Sequence, residues 1–488
     1  MNAMMPSQAL NPYLPSYEYI PDGEPYVFGD RLYVFGSHDR FNGKLFCMND
    51  YVCWSAPIDD LSDWRYEGVI YRKTLDPMNK LGLYQMYAPD VAKGPDGRYY
   101  LYYTLAFRSV MAVAVCDSPA GEYEFYGYVS HPNGDRLWDH SGDPILFDPG
   151  VLVDDDGCVY LYSGFAPIKD VPFFVTGWKK RTCKGGYVIQ LQPDMKTVTG
   201  EPKLILPKAG EADGTGFEGH EFFEASSIRK IKDTYYLIYS SINGHELCYA
   251  TSKSPTGGFK FGGTIISNGD LYINGYDSDQ KAYNYIGNNH GGIVQVRDQW
   301  YVFHHRHTNR HHYSRQGLAE PIEIKEDGTI PQVELTSCGL NNGPFIGRGE
   351  YEARIACHLM SAEGAGRYGV YFGNITFRKH PYFTQSGKDR ENSPYQYIAN
   401  MRNGAVAGFK YFLMQDVSEI AVCVRGPATG FMLVANGLDA KPITRIPISP
   451  SSAFTYYGAK INIENGKQAL YFTFEGSGKL DFKSLVLK

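Results

Sequence analysis

The nine cysteines stand singly at 47, 53, 116, 158, 183, 248, 338, 357 and 423, and none forms a C-x-x-C pair. That spacing excludes a readable disulfide framework and a thiolate zinc site. No apolar run approaches the 18 residues of a membrane-spanning helix, so no membrane partner is expected. The net charge of −6 lacks the basic excess of a nucleic-acid binder, which excludes that partner class. The opening MNAMMPSQALNPYLPS has neither the charged nor the apolar region of a secretory signal, and a cytoplasmic location is expected. Helical periodicity is missing throughout, and tryptophan is missing after residue 300.

What is abundant is tyrosine, 40 residues of it. Tyrosine suits strands, which favours an all-β chain. Its ring face also suits the apolar C–H face of a sugar. Five segments repeat one pattern: Gly29–Ser37, Asp96–Thr104, Asp156–Gly164, Lys232–Ser240 and Arg297–His305. Each is a turn followed by an alternating aromatic strand. Aligned on Tyr33, Tyr100, Tyr160, Tyr236 and Tyr301, they recur after 67, 60, 76 and 65 residues. Strand pairs at this period point to propeller blades.

Ten to twelve residues before those tyrosines stand Asp22, Asp90, Asp148, Glu224 and His290. Equivalent positions in blades face the central axis, so the repeat gathers four carboxyls and an imidazole into one volume. One aspartate in Asp-Gly or Asp-Pro reads as a turn former. Four acids in register read as a site, because crowding them raises some of their pKa values. Aromatics precede each acid closely, as in Phe222-Phe223-Glu224, and a dry pocket pushes a carboxyl the same way. One acid can then keep its proton while another stays ionised, the division that glycoside hydrolysis needs.

The motifs NPYLP (Asn11–Pro15), IPDGEP (Ile20–Pro25), APD (Ala88–Asp90), FDPGVLVDDDG (Phe147–Gly157), FFEASSIRK (Phe222–Lys230) and NNHGG (Asn288–Gly292) together resemble glycoside hydrolase family 43 over about residues 10–330. The resemblance implies a five-bladed propeller hydrolysing with inversion, on arabinose- or xylose-containing oligosaccharides or polysaccharides. It implies Asp22 as general base, Glu224 as general acid and Asp148 as the carboxylate that tunes the acid. An inverting base and acid are expected roughly 6.5–9.5 Å apart. Asp90 is expected to support the pocket or contact substrate. Tyr87 stands where many relatives have tryptophan, Arg315 is expected to reach a substrate hydroxyl, and His38 and Asp39 to contact sugar. No cofactor is required for the chemistry. His290 is expected near a hydrated calcium ion in the channel, or as a buried histidine bonded to neighbouring blades. The run HHRHTNRHH (His304–His312) matches no zinc spacing and reads as a loop with one histidine facing the pocket.

Residues 1–335 are thus read as the propeller, 336–347 as a linker and 348–488 as a jelly-roll-like β-sandwich. Strands are expected at Tyr368–Phe372, Ile420–Val424, Gly430–Ala435 and Ala469–Phe474. Residues 395–413 resemble the family 6 carbohydrate-binding modules, with Phe454–Tyr457 where a tryptophan is usual. The expected activity is exo-acting α-L-arabinofuranosidase or β-xylosidase. The alternatives are an endo-arabinanase and a non-catalytic glycan-binding propeller.

Overall fold

The computed structural model describes residues 7–108, 110–168, 183–273, 278–370, 373–390 and 395–488. Five antiparallel sheets follow one another in chain order. The first holds β1 (Glu24–Phe28), β2 (Arg31–Phe35), β3 (Tyr51–Pro57) and β4 (Arg65–Tyr71). The second holds β5 (Asp90–Lys93), β6 (Tyr99–Thr104), β7 (Met111–Cys116) and β8 (Glu124–Tyr128). The third holds β9 (Gly150–Val153), β10 (Val159–Ser163), β11 (Gly185–Leu191) and β12 (Lys203–Pro207). The fourth holds β13 (Phe222–Ile231), β14 (Thr234–Ser241), β15 (Glu246–Ser252) and β16 (Lys260–Ser267). The fifth has three strands, β17 (Ile293–Val296), β18 (Gln299–Thr308) and β19 (His311–Ile322). This is a five-bladed propeller.

Each of the five repeated segments supplies the first hairpin turn of a blade and its second strand. The turn needs a left-handed residue, which Gly29, Gly97 and Gly157 adopt without a Cβ clash. Lys232 and Arg297 take the same conformation in blades four and five. A parallel bridge between Gly23 and Gly291 ties the last blade to the first. Glycine is required there: a Cβ on Gly291 would lie 1.9 Å from the Phe303 carbonyl oxygen, and one on Gly292 would lie 2.6 Å from Glu24 Oε2.

After the propeller come two further sheets. One runs Phe345–Ile346, Val406–Met414, Gly466–Ser477, Thr429–Ala435, Thr444–Ile448; the other runs Tyr382–Gln385, Gln396–Met401, Leu480–Leu487, Glu419–Gly426, Ser451–Lys460. Phe409 meets Phe472 and Phe482 edge-on between them, in a β-sandwich core. That core does not stop at the sandwich. It includes Leu271, Tyr285 and Ile286 of the propeller, and the Tyr285 and Tyr368 rings stack at 4.8 Å. Ending the chain after residue 344 would bare these residues. The expected product is an aggregate in size-exclusion chromatography, not a stable propeller.

Two expectations change. Thr336–Gly347 is no slack linker: the Ser337 amide donates to the Lys410 carbonyl (2.6 Å), Thr336 donates twice to buried Glu320, and Phe345 is fully buried. Tyr368–Val370 forms no strand, because its groups are already used by the propeller. The Tyr368 carbonyl accepts from His312 Nε2 (2.7 Å) and the Val370 carbonyl from Tyr313 Oη (2.7 Å). Tyr371 and Phe372 lie outside the described residues. Among the described residues, helix is limited to Gly373–Thr376 and short 3₁₀ turns, and no cysteine is in a disulfide.

Candidate active site

A cavity of about 740 Å³ opens at one end of the propeller axis. Asp22, Asp148, Glu224, His290 and Arg315 line it together, although they come from four blades. The backbone at the acids is unusual. Asp22 and Asp148 have left-handed φ values of 58° and 47°, and Ala225 beside Glu224 has 68°. Each acid thus sits at or beside a backbone reversal at the head of an inner strand, which turns its side chain into the cavity instead of the sheet.

Arg315, on β19, organises the floor. Its Nη1 donates to Asp22 Oδ1 at 2.9 Å, while its Nε and Nη2 grip both oxygens of Asp39 at 2.9 and 3.1 Å. The guanidinium also lies over the Phe46 ring, 4.9 Å from its centroid. His305 Nδ1 stands 3.2 Å from Asp22 Oδ1. Burial pushes the Asp22 carboxyl up, but Arg315 and His305 outweigh it and hold that group well below the usual carboxylate range. Glu224 has no such cation in contact. Burial and the charge of Asp22 push it up to about 8, against a weaker pull from Arg315. Asp148 is also raised, by burial and then by Glu224 and Asp22. One cavity therefore holds one firmly ionised carboxylate, Asp22, and two raised ones, Glu224 and Asp148.

The walls are aromatic. Tyr87, Phe147, Phe165 and Phe223 form an arc with successive centroid distances of 5.2, 5.2 and 5.4 Å. Trp138 and Phe107 continue it, and Arg367 and Val370 close one side from the sandwich.

Three residues expected to touch sugar do not line the cavity. Asp90 is fully buried beneath it, where its carboxylate accepts from Tyr26 Oη (2.7 Å) and from the Val91 and Val151 amides (2.7 and 2.6 Å). With its lone pairs taken, it fastens blades one, two and three together. Asp39 is held behind Arg315 and also accepts from the Cys47 amide (2.9 Å). His38 donates through Nδ1 to the Asp50 carbonyl (2.7 Å) and accepts at Nε2 from Arg390 of the sandwich (3.0 Å). That makes it a seat for the second domain. In the histidine run, His312 reaches the cavity and His305 reaches Asp22, and the five form no metal-binding cluster among the described residues.

The residue reading gave no role to Glu24 and Arg229. Arg229 Nη2 and Ser227 Oγ both donate to Glu24 Oε2 at 3.0 Å, and Arg229 covers the Tyr26 ring. The available signal was alternation, since Glu24 follows Asp22 by two residues and Arg229 is the penultimate residue of the FFEASSIRK motif. His290 lies between the two layers: its Nδ1 is 3.5 Å from Asp148 and its Nε2 is 3.9 Å from Glu24 Oε1. That Nε2 and Glu24 Oε1 are both buried without a hydrogen-bond partner. Burial lowers His290 to about 4, so the ring is neutral.

The profile of glycosyl hydrolases family 43 matches residues 20–330. A xylosidase/arabinosidase from Thermoclostridium stercorarium is 53% identical over 483 residues, covering 99% of both chains. Xylosidase/arabinosidase 43A from Humicola insolens is 28% identical over 59% of this chain and 88% of its own. Among solved structures, a β-xylosidase/α-arabinofuranosidase from a compost microbial metagenome, in complex with xylotriose and calcium-free, superposes with a TM-score of 0.51. It is 25% identical over 65% of this chain and 96% of its own.

Proposed function

The chain belongs to glycosyl hydrolases family 43, and from that premise we propose that Asp22 and Glu224 work as base and acid in an inverting release of pentose residues. The enzyme is a glycoside hydrolase of the xylosidase/arabinosidase kind. The observation that carries the residue roles is the electrostatic division across one cavity. Asp22, kept ionised by Arg315, takes the proton of a water as that water attacks the anomeric carbon. Glu224, kept protonated by burial and by Asp22, gives its proton to the departing oxygen. Asp148, itself raised by burial and by the charges of Glu224 and Asp22, is the third carboxyl of the cavity and tunes the acid. Tyr87 and its aromatic neighbours stack on the sugar, and Arg315 reaches a hydroxyl. The substrates are α-L-arabinofuranosyl or β-D-xylosyl ends of plant-type glycans or their oligosaccharides.

The side closed by Arg367 and Val370 favours exo action over an endo-arabinanase, which needs a groove open at both ends. The complete set of Asp22, Asp148 and Glu224 disfavours a non-catalytic glycan binder. His290 Nε2 and Glu24 Oε1, both buried without a hydrogen-bond partner, would hold a calcium ion directly or through water. Such an ion would supply positive charge near the clustered carboxyls. The sandwich exposes Tyr456 on an edge strand, with Phe454 under Arg425, a face suited to holding a glycan chain.

Asp22→Asn is expected to lower kcat about 10²–10⁴-fold on every leaving group alike, with KM little changed. Proton NMR of the first sugar released by the wild type is expected to show the inverted anomer. The retained anomer, or a fully active Asp22→Asn, would sink the assignment.

A further inference from the structure

We propose that the loop between β8 and β9 binds a divalent transition-metal ion through His131, His140 and Asp143, and that the ion staples the loop that carries Trp138 into the active-site wall. One ligand atom from each of these three side chains lies within 4.8 Å of the others. The two imidazole rings stack with 4.2 Å between centroids and 12° between planes, so His140 must turn out of the stack for both in-plane lone pairs to meet one ion. His131 Nε2 is shielded from solvent, makes no hydrogen bond and faces Asp143 Oδ1 at 3.5 Å. Asp135 Oδ2 lies 2.9 Å from His140 Nε2, the pairing of carboxylate and imidazole that orients ligating histidines.

The backbone already brings these residues together. The His131 amide donates to the Asp135 carbonyl (2.7 Å), the Leu137 amide returns to the Val129 carbonyl (2.9 Å), and the His140 amide donates to Asp143 Oδ2 (2.9 Å). Zinc bonds of about 2.0–2.2 Å in a tetrahedron place ligand atoms about 3.3–3.6 Å apart, so closure needs more than about 1 Å of approach together with rotation of one imidazole. His140, 43% exposed, has room to make it. Two imidazoles and one carboxylate suit zinc, nickel or copper better than calcium or magnesium. The opposite side of the same loop packs Trp138 and Ile145 on Val110, and both line the cavity. An ion at the loop's base would thus fix part of the substrate wall without touching the reacting atoms.

A second trio, His220, Glu246 and Cys248, has the composition of a site but not its chemistry. Glu246 is already occupied by His220, Ser241, Asn243 and Thr264, and His220 Nδ1 is spent on that carboxylate.

The test is calorimetric titration of the chelator-stripped full chain with Zn²⁺, beside His140→Ala, Asp143→Asn and His220→Ala. Circular dichroism verifies folding, and exposed His140 is the variant least able to disturb it. One equivalent in the wild type, weakened at least about tenfold in His140→Ala and Asp143→Asn and kept in His220→Ala, is the expected result. Zn²⁺ should also raise Tm in the wild type and not in His140→Ala. Equal affinity in His140→Ala, or loss of the equivalent in His220→Ala, would overturn the proposal. Neither readout uses hydrolysis, so the result stands apart from the assignment of the catalytic acids.

Discussion

Glu224→Gln should lose about 10²–10⁴-fold in kcat/KM on unactivated pentosides and yet fold more stably than the wild type in alkaline solution. The two effects share one cause. Glu224 is held near 8 in the folded chain, against an ordinary value of 4.5, by burial first and the charge of Asp22 second. Between those values the folded protein keeps a proton that the unfolded chain has released. Stability therefore falls as pH rises through that window, and the whole cost is present above about 8. Glutamine keeps the shape and removes the ionisation. The variant's gain should be small near pH 5 and reach the order of a few kcal/mol above pH 8, measured by urea unfolding at each pH. The kinetic loss should depend on the leaving group. A dinitrophenolate departs without help, so aryl pentosides should lose far less than xylobiose or an alkyl pentoside. In the wild type, kcat/KM should fall as pH rises through about 8, because the acid must carry its proton. Equal losses on both kinds of leaving group would mean that Glu224 is not the proton donor.

Much of this site was legible in the sequence because a repeat reports position. Asp22, Asp148 and Glu224 stand 11 or 12 residues before the repeat tyrosine of their blade, and blades carry near-equal offsets to one axis. A similar offset brought Asp90 in too, but as a support among the blades and not as a residue lining the cavity. Offset fixes the end of the strand but not the depth. Asp90 opens a regular strand and points into the layer below, where Tyr26 and two amides take its oxygens. Asp22 and Asp148 escape that layer through left-handed backbone, which non-glycine residues rarely reveal in sequence. Partners from distant blades were invisible for a different reason. Glu24 and Arg229 are 205 positions apart, and Asp22 and Arg315 are 293. Alternation tells which face a side chain takes and nothing about which blade it meets. His38 and Asp39 were misread the same way, since the groups that bury them, Arg390 and Arg315, arrive from the sandwich and from the fifth blade.

Arg315→Lys should shift the acid side of the pH profile, and Arg315→Met should do so at a heavy cost in stability. The guanidinium is 2% exposed and serves two buried carboxylates with one planar fork. An ammonium is a point charge and cannot meet Asp39 on two edges and Asp22 on a third. Methionine leaves both acids buried without a cation, a loss of about 3–5 kcal/mol for a broken buried pair. For Asp22 the sign follows from its depressed value. Its contribution to stability is fully present above the ordinary 3.8 and is lost only as pH falls below that toward the folded value. Without Arg315 the largest remaining influence on Asp22 is burial, which raises it. The base then takes up a proton at a pH where the wild type is still ionised. Activity of Arg315→Lys should decline in mildly acidic solution where the wild type stays level, while the alkaline limb set by Glu224 remains. Loss of activity at every pH with an unchanged acid limb would assign Arg315 to substrate binding alone.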